Sequence, residues 1–205
     1  MAVSCVVGAA PGHLRTVATT PIEHLSLLDP MRALTERKFS VQLIKVDSTG
    51  IVDLEHVKRL ITPHTLLISV IYASNEIGAI EPIAKIGKYI RAFRQKHRLS
   101  YPLFHTDACQ AAEYLDMNVQ RLGVDLLTFN SAKIYGPRGV GVLYVRQGTP
   151  IAPWIRGGHQ EQGIRAGTEN VPGIAGFARA IDFIDSARAR RMGVLRDYCI
   201  ERIQT

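Results

Sequence analysis

Two residues in this sequence have the types and the placement for covalent chemistry on a carbonyl compound. Lys133 lies in Phe129-Asn130-Ser131-Ala132-Lys133-Ile134-Tyr135-Gly136-Pro137-Arg138-Gly139, just past an apolar run. A lysine there either snorkels to water or has a function, and the Gly-Pro-x-Gly turn behind it fixes the backbone tightly. Lysine is also the side chain whose amine can be tuned to form a Schiff base. Asp107, in His105-Thr106-Asp107-Ala108-Cys109-Gln110, ends another apolar run. Alone, such a carboxylate is a helix cap, a metal ligand or a cofactor anchor. Taken together on successive strand ends, an amine and an acid match what pyridoxal 5'-phosphate (PLP) requires. The amine attaches the cofactor, and the acid keeps the pyridine nitrogen protonated so that the ring accepts electrons.

These residues need a scaffold that brings strand ends together. Short apolar runs alternate with amphipathic ones along the chain. Strands are expected at Thr16–Thr20, Val41–Val46, Leu66–Tyr72, Leu103–His105, Leu126–Phe129 and Val140–Val145. Helical spacing marks His24–Phe39, with Pro30 as a constraint on where that helix starts or kinks. Asp53 is placed to cap a helix running to Ile61. Ile83–His97 puts Ile83, Ile86, Tyr89, Ile90 and Phe93 on one face, with lysines and arginines on the other. One long helical stretch is expected from Val171 to about Arg191, and a further helix up to Ile203. The alternation predicts an α/β fold with a mostly parallel sheet flanked by helices. Ligands of such sheets bind at the carboxyl ends of the strands.

The bulk composition agrees with a globular domain: 205 residues, 46% hydrophobic and 21% charged. The net charge of +7 is spread along the chain, and its tightest group, Arg188, Arg190 and Arg191, has no interleaved aromatics. It reads as a solvated helix face rather than a nucleic-acid surface. Cys5, Cys109 and Cys199 are widely spaced, which fits neither a zinc site nor a disulfide framework. No metal site, no membrane association and a cytoplasmic location are the expectations. The apolar start lacks the basic residues of a signal peptide.

Four ordered segments carry a resemblance. Ala73-Ser74-Asn75-Glu76-Ile77-Gly78, His105–Gln110, Lys133–Gly139, and Gly157-Gly158-His159-Gln160-Glu161 with Arg165–Asn170 are similar to the cysteine desulfurases. That family is the class V, aminotransferase-like branch of the fold-type-I PLP enzymes, close to the selenocysteine lyases. The resemblance implies that Lys133 carries the cofactor and moves the proton at the substrate Cα. It implies that Asp107 pairs with the pyridinium nitrogen, and that Gln110 and Asn75 hydrogen-bond near the phenolic oxygen. His24 would stack on the ring and act in proton transfer. Asn130 and Ser131 would lie at the phosphate, and Thr168 would reach the phosphate of a neighbouring subunit's cofactor, which implies a homodimer. The implied reaction converts L-cysteine to L-alanine and an enzyme persulfide formed on the family's loop cysteine, which feeds iron–sulfur cluster or thio-cofactor biosynthesis, with a sulfur-acceptor protein as a further candidate partner. Taken singly, His24 is a helix-start residue, Asn75 and Gln110 are loop amides, and Thr168 is a cap ahead of Val171.

The sequence departs from the family pattern at Ala132, where a histidine is usual, and at Asn130, where a serine is usual. The phosphate loop and the cysteine-bearing loop of the family have no counterpart here, so a chain truncated at both ends is expected. On this reading residues 1–190 form a partial PLP-binding large domain and residues 191–205 begin a small C-terminal domain. Two other readings stand beside it: a selenocysteine lyase or other class V lyase or transaminase, and a non-catalytic fragment or interaction module.

Overall fold

A computed structural model describes residues 1–204. The elements run in the order α1 (Ala2–Gly8), β1 (Thr16–Thr19), α2 (Leu25–Ala33), β2 (Ser40–Leu43), α3 (Leu54–Leu60), β3 (Thr65–Ser69), α4 (Ile83–His97), β4 (Leu103–Asp107), α5 (Val119–Leu122), β5 (Leu126–Asn130), β6 (Gly141–Val145), α6 (Val171–Asp182) and α7 (Ser186–Gln204). A 3-10 turn, Ser131–Ile134, follows β5, and another lies at Gln160–Gly163. The strands form one six-stranded sheet in the order β2-β1-β3-β4-β5-β6. All neighbours are parallel except β5 and β6, which are antiparallel. The α/β class with a mostly parallel sheet is therefore the fold.

Period-two alternation sends successive strand residues to opposite faces of the sheet. Val17, Leu67, Leu103 and Leu126 pack on one face against Val3, Val6, Val7, Leu27 and Met31 of α1 and α2. Ala18, Ile68, Phe104 and Leu127 face the other way, against Val57 of α3 and Ile83, Ile86 and Ile90 of α4. Strands β3 and β4 are buried along their whole length, as parallel strands covered on both faces must be.

The chain turns one way from β1 to β2 and then crosses to the other side of β1 to lay down β3. In open α/β sheets such a reversal opens a crevice at the carboxyl ends of the two strands. Here those ends lead to Thr20–His24 and to Val70–Asn75.

Several elements depart from the expected limits. Helix α2 ends at Ala33, with Pro30 inside it, because the chain closes a tight turn in which Lys38 takes φ 62° and the Phe39 amide returns to Leu34 O. The stretch expected as one helix from Val171 to about Arg191 is broken after Asp182. Asp185 restarts it by accepting from the Ala187 amide at 2.8 Å. Helix α6 is capped by Asn170, whose Oδ1 accepts from the Gly173 amide at 3.1 Å. Thr168 is not the cap.

Candidate active site

Asp107 ends β4 with only 8% of its surface exposed. Its Oδ1 accepts from the Cys109 amide at 2.9 Å, and it forms no ion pair among the described residues. A nearly buried carboxylate without a cation is costly, and a cationic ligand group at the strand end would complete it. The next strand, β5, runs beside it with Asp107 opposite Thr128. At its end Asn130 caps the 3-10 turn that carries Lys133, accepting from the Lys133 amide at 3.2 Å. The other end of the same amide side chain donates to Cys109 Sγ at 3.4 Å. Lys133 is exposed, with its ammonium in no ion pair among the described residues.

Asp107 and Asn130 thus both hydrogen-bond Cys109, and the Lys133 charge acts on its thiol. Burial and the Asp107 charge push Cys109 far above the usual thiol range, opposed by the Lys133 charge and the Asn130 contact. Cys109 stays a neutral thiol, which removes it as a nucleophile.

Below Asp107, on the same sheet face, His105 is 1% exposed. One ring nitrogen meets Ser69 Oγ at 2.7 Å on β3, and the other meets Thr128 Oγ1 at 3.2 Å on β5. Burial lowers its pKa to about 4 against the pull of the Asp107 charge, so the ring is neutral near pH 7. It straps three strands together beneath the carboxylate.

His24 stands at the β1 end of the crevice. Its Nδ1 accepts from the Ser26 amide at 3.1 Å and lies 2.7 Å from Ser26 Oγ, capping α2. An acceptor Nδ1 places the neutral ring's proton on Nε2, which has no protein partner among the described residues. Glu23, beside it, is 6% exposed. Its Oε1 accepts from the Ile71 amide at 2.7 Å and from Thr20 Oγ1 at 3.1 Å, while Oε2 is buried without a partner. Burial raises this carboxyl to about 8, and the Asp107 charge adds to the rise.

Asn75 and Gln110 line a groove of about 880 Å³, walled on its far side by Arg190, Met192 and Arg196 of α7. Thr168 lies elsewhere, in a groove of about 700 Å³ along β6 with Gly139, Leu143, Asn170 and Phe177. Ser131 is fully buried, and its Oγ has no hydrogen-bond partner. It sits so close to Gly136 that a Cβ there would lie 2.1 Å from it. A phosphate would reach this hydroxyl only if the side chain turned outward.

The residues present fit PLP at its ring end: a nearly buried carboxylate with no cation beside it among the described residues, an exposed lysine past the adjoining strand end, and a histidine with an open Nε2 across the crevice. Sequence reasoning missed Glu23, His105 and Arg188, which pairs with Glu113 and stacks on Tyr135. Glu23 and His105 were legible as polar residues next to the motif residues, at the ends of apolar runs.

This combination of sheet and strand-end lysine belongs to the PLP-dependent aminotransferase-like enzymes. The model of the aminotransferase class-V family matches residues 1–204, and the chain belongs to that family. It is 40% identical over 207 residues to the cysteine desulfurase IscS of Dictyoglomus turgidum, matching 100% of this chain and 51% of that protein. The cysteine desulfurase IscS of Clostridium botulinum strain Hall is 44% identical over 166 residues, 81% of this chain and 40% of that protein. Among solved structures, a NifS-like protein superposes with a TM-score of 0.89 at 35% identity, over 98% of this chain and 57% of that one. SspA in complex with cysteine gives 0.75 at 34% identity, over 82% and 47%. The chain spans about half the length of the relatives it matches. Among the described residues no helix is long and apolar enough to cross a membrane, and no cluster of ligating side chains could hold a metal.

Proposed function

We propose that this chain is the cofactor-binding core of a PLP-dependent cysteine desulfurase. The observation that carries the reading is the placement of a nearly buried Asp107 carboxylate, in no ion pair among the described residues, and an exposed Lys133 amine just past the ends of the adjoining strands β4 and β5. PLP bound there supplies an electron sink for the substrate's Cα.

Lys133 would hold the cofactor covalently and serve as the base for the proton at the substrate Cα. Asp107 would keep the pyridine nitrogen protonated. His24 would stack on the ring, with its Nε2–H open to a substrate proton transfer. Asn75 and Gln110 would hydrogen-bond the phenolic oxygen. Asn130, and Ser131 with its side chain turned outward, would be the phosphate contacts within the subunit, and Thr168 would serve the cofactor of a second copy in a homodimer.

The substrate is L-cysteine, a reading supported by the desulfurase relatives and by a neighbour solved with cysteine. The Cβ–S bond breaks as an acceptor thiolate attacks the sulfur. The electron pair stays on carbon and takes up a proton, giving L-alanine, and the acceptor becomes a persulfide. Cys5 is buried, Cys109 is held protonated, and Cys199, though exposed, lines neither groove, so we assign the acceptor thiol to a segment outside this sequence or to an acceptor protein. The setting is cytoplasmic, and residues 191–205 begin a small C-terminal domain.

The test is the absorbance of the purified chain with added PLP. A visible-edge band in the unmodified chain that is lost in Lys133→Ala supports the reading. No band in either protein overturns cofactor binding by this chain, leaving a non-catalytic module.

A further inference from the structure

The turn that carries Lys133 is closed by an unusual residue. Tyr135 takes φ 64° and ψ 17°, a left-handed backbone that a tyrosine holds only when its surroundings impose it. Below it, Ile134 is buried with Ala112, Phe177 and Ala180 of α6, and the Gly136 amide donates to Ser131 O at 3.0 Å. Above it, the Tyr135 ring is 74% exposed. The side chain that covers it comes from α7: the Arg188 guanidinium lies 4.8 Å from the ring centroid.

The same guanidinium pairs through Nη2 with Glu113 Oε1. Glu113 follows Gln110 by one turn and is buried, with its Oε2 unpartnered. Without Arg188 a buried carboxylate would lose its one cation among the described residues, a loss that reorganises its surroundings. Tyr114 completes the cluster, its phenol pushed up to about 12 by burial and by Glu113. One arginine of α7 therefore ties the Gln110–Glu113 segment to the Lys133 turn, while its helix neighbours Arg190 and Arg196 wall the groove that holds Asn75 and Gln110.

We propose that Arg188 is a positioning residue: through Glu113 and Tyr135 it sets the Lys133 turn against the Asn75–Gln110 groove, so that the docking of α7 is felt at the lysine. The proposal rests on the reading of Lys133 as the cofactor lysine.

The test compares the unmodified chain with Arg188→Met, Arg188→Lys and Tyr135→Leu, the last removing the stack while leaving Glu113 paired. Two readouts are taken: amide hydrogen exchange over residues 131–136 against α4, and the pH midpoint of the PLP band. Arg188→Met is expected to speed exchange in the turn about tenfold, with α4 unchanged, and to move the midpoint. Arg188→Lys keeps the ion pair but not the planar stack and falls between. Tyr135→Leu reproduces the turn effect alone. Unchanged exchange in the turn overturns the proposal, as does a rise equal across turn and helix, which marks a merely structural role. A missing PLP band in the unmodified chain sinks the Lys133 reading, while the exchange result still decides the coupling.

Discussion

Glu23 Oε1 accepts from the Ile71 amide at 2.7 Å, joining the turn that carries His24 to the strand end that leads to Asn75. The bond spans β1 and β3, where the sheet reverses direction. Its acceptor is a carboxyl that burial raises to about 8. The fold thus prefers the neutral acid, whose carbonyl oxygen accepts both bonds.

That preference sets a pH dependence. A raised folded pKa means that the contribution is complete below the ordinary value of 4.5 and erodes as pH rises towards about 8. Glu81, raised to about 7 by burial, acts in the same direction. Chemical denaturation from pH 5 to 9 should show stability falling, and Glu23→Gln should flatten part of the slope. A slope unchanged by the substitution would remove Glu23 as its source.

Glu23→Gln keeps an acceptor for Ile71 and Thr20, whereas Glu23→Leu leaves two buried donors unpaired. Each costs about 1–3 kcal/mol, so the leucine variant should lose several degrees in melting temperature while the glutamine variant stays close to the parent. The His24 ring resonances, followed by NMR, should move in Leu and hold in Gln, because the turn that positions the ring is held by the same bonds.

The elements that positioned the site were largely legible from residue pattern. Ile83–His97 matched to the residue because fifteen amphipathic positions leave one solution, and its Arg94, Lys96 and His97 suit the carboxyl end of a helix. Asp107 and Lys133 stood out because polar groups after apolar runs mark strand ends. The α6–α7 break was hidden because its signal, Asp185-Ser186, lies inside a run whose apolar residues keep helical spacing up to Ile184 and whose Ala187–Arg191 resumes strong helix formers at once. Thr168 resembled a cap as well as Asn170 does, and only backbone geometry separates them. Arg188 looked like a solvated charge because its partners, Glu113 and Tyr135, lie 75 and 53 residues away.

The three cysteines should differ sharply in reactivity. Cys5 is buried and its thiol raised by burial, and Cys109 is held higher still. Cys199 is exposed on α7. Limited alkylation of the native chain at pH 8, read by peptide mass, should label Cys199 first and leave the other two until the chain is unfolded. Early labelling of Cys109 would contradict the neutral thiol placed between Asp107 and Asn130.

Ser131 offers a test of how the lysine turn is packed. Its buried hydroxyl has no partner, so Ser131→Ala should raise stability by about 1 kcal/mol. Gly136→Ala should do the opposite, because the new Cβ would meet Ser131 Oγ at 2.1 Å and Ala180 Cβ at 3.0 Å. Combining the two removes the closer clash and leaves the other, so the double variant should recover part of the loss, a coupling readable by a double-mutant cycle. The same Ser131→Ala protein decides the phosphate assignment. If PLP affinity is unchanged while the melting temperature rises, the hydroxyl serves only the interior. If affinity falls, the side chain turns outward to the phosphate when the cofactor binds, and the stability gain of the free chain measures what that rotation relieves.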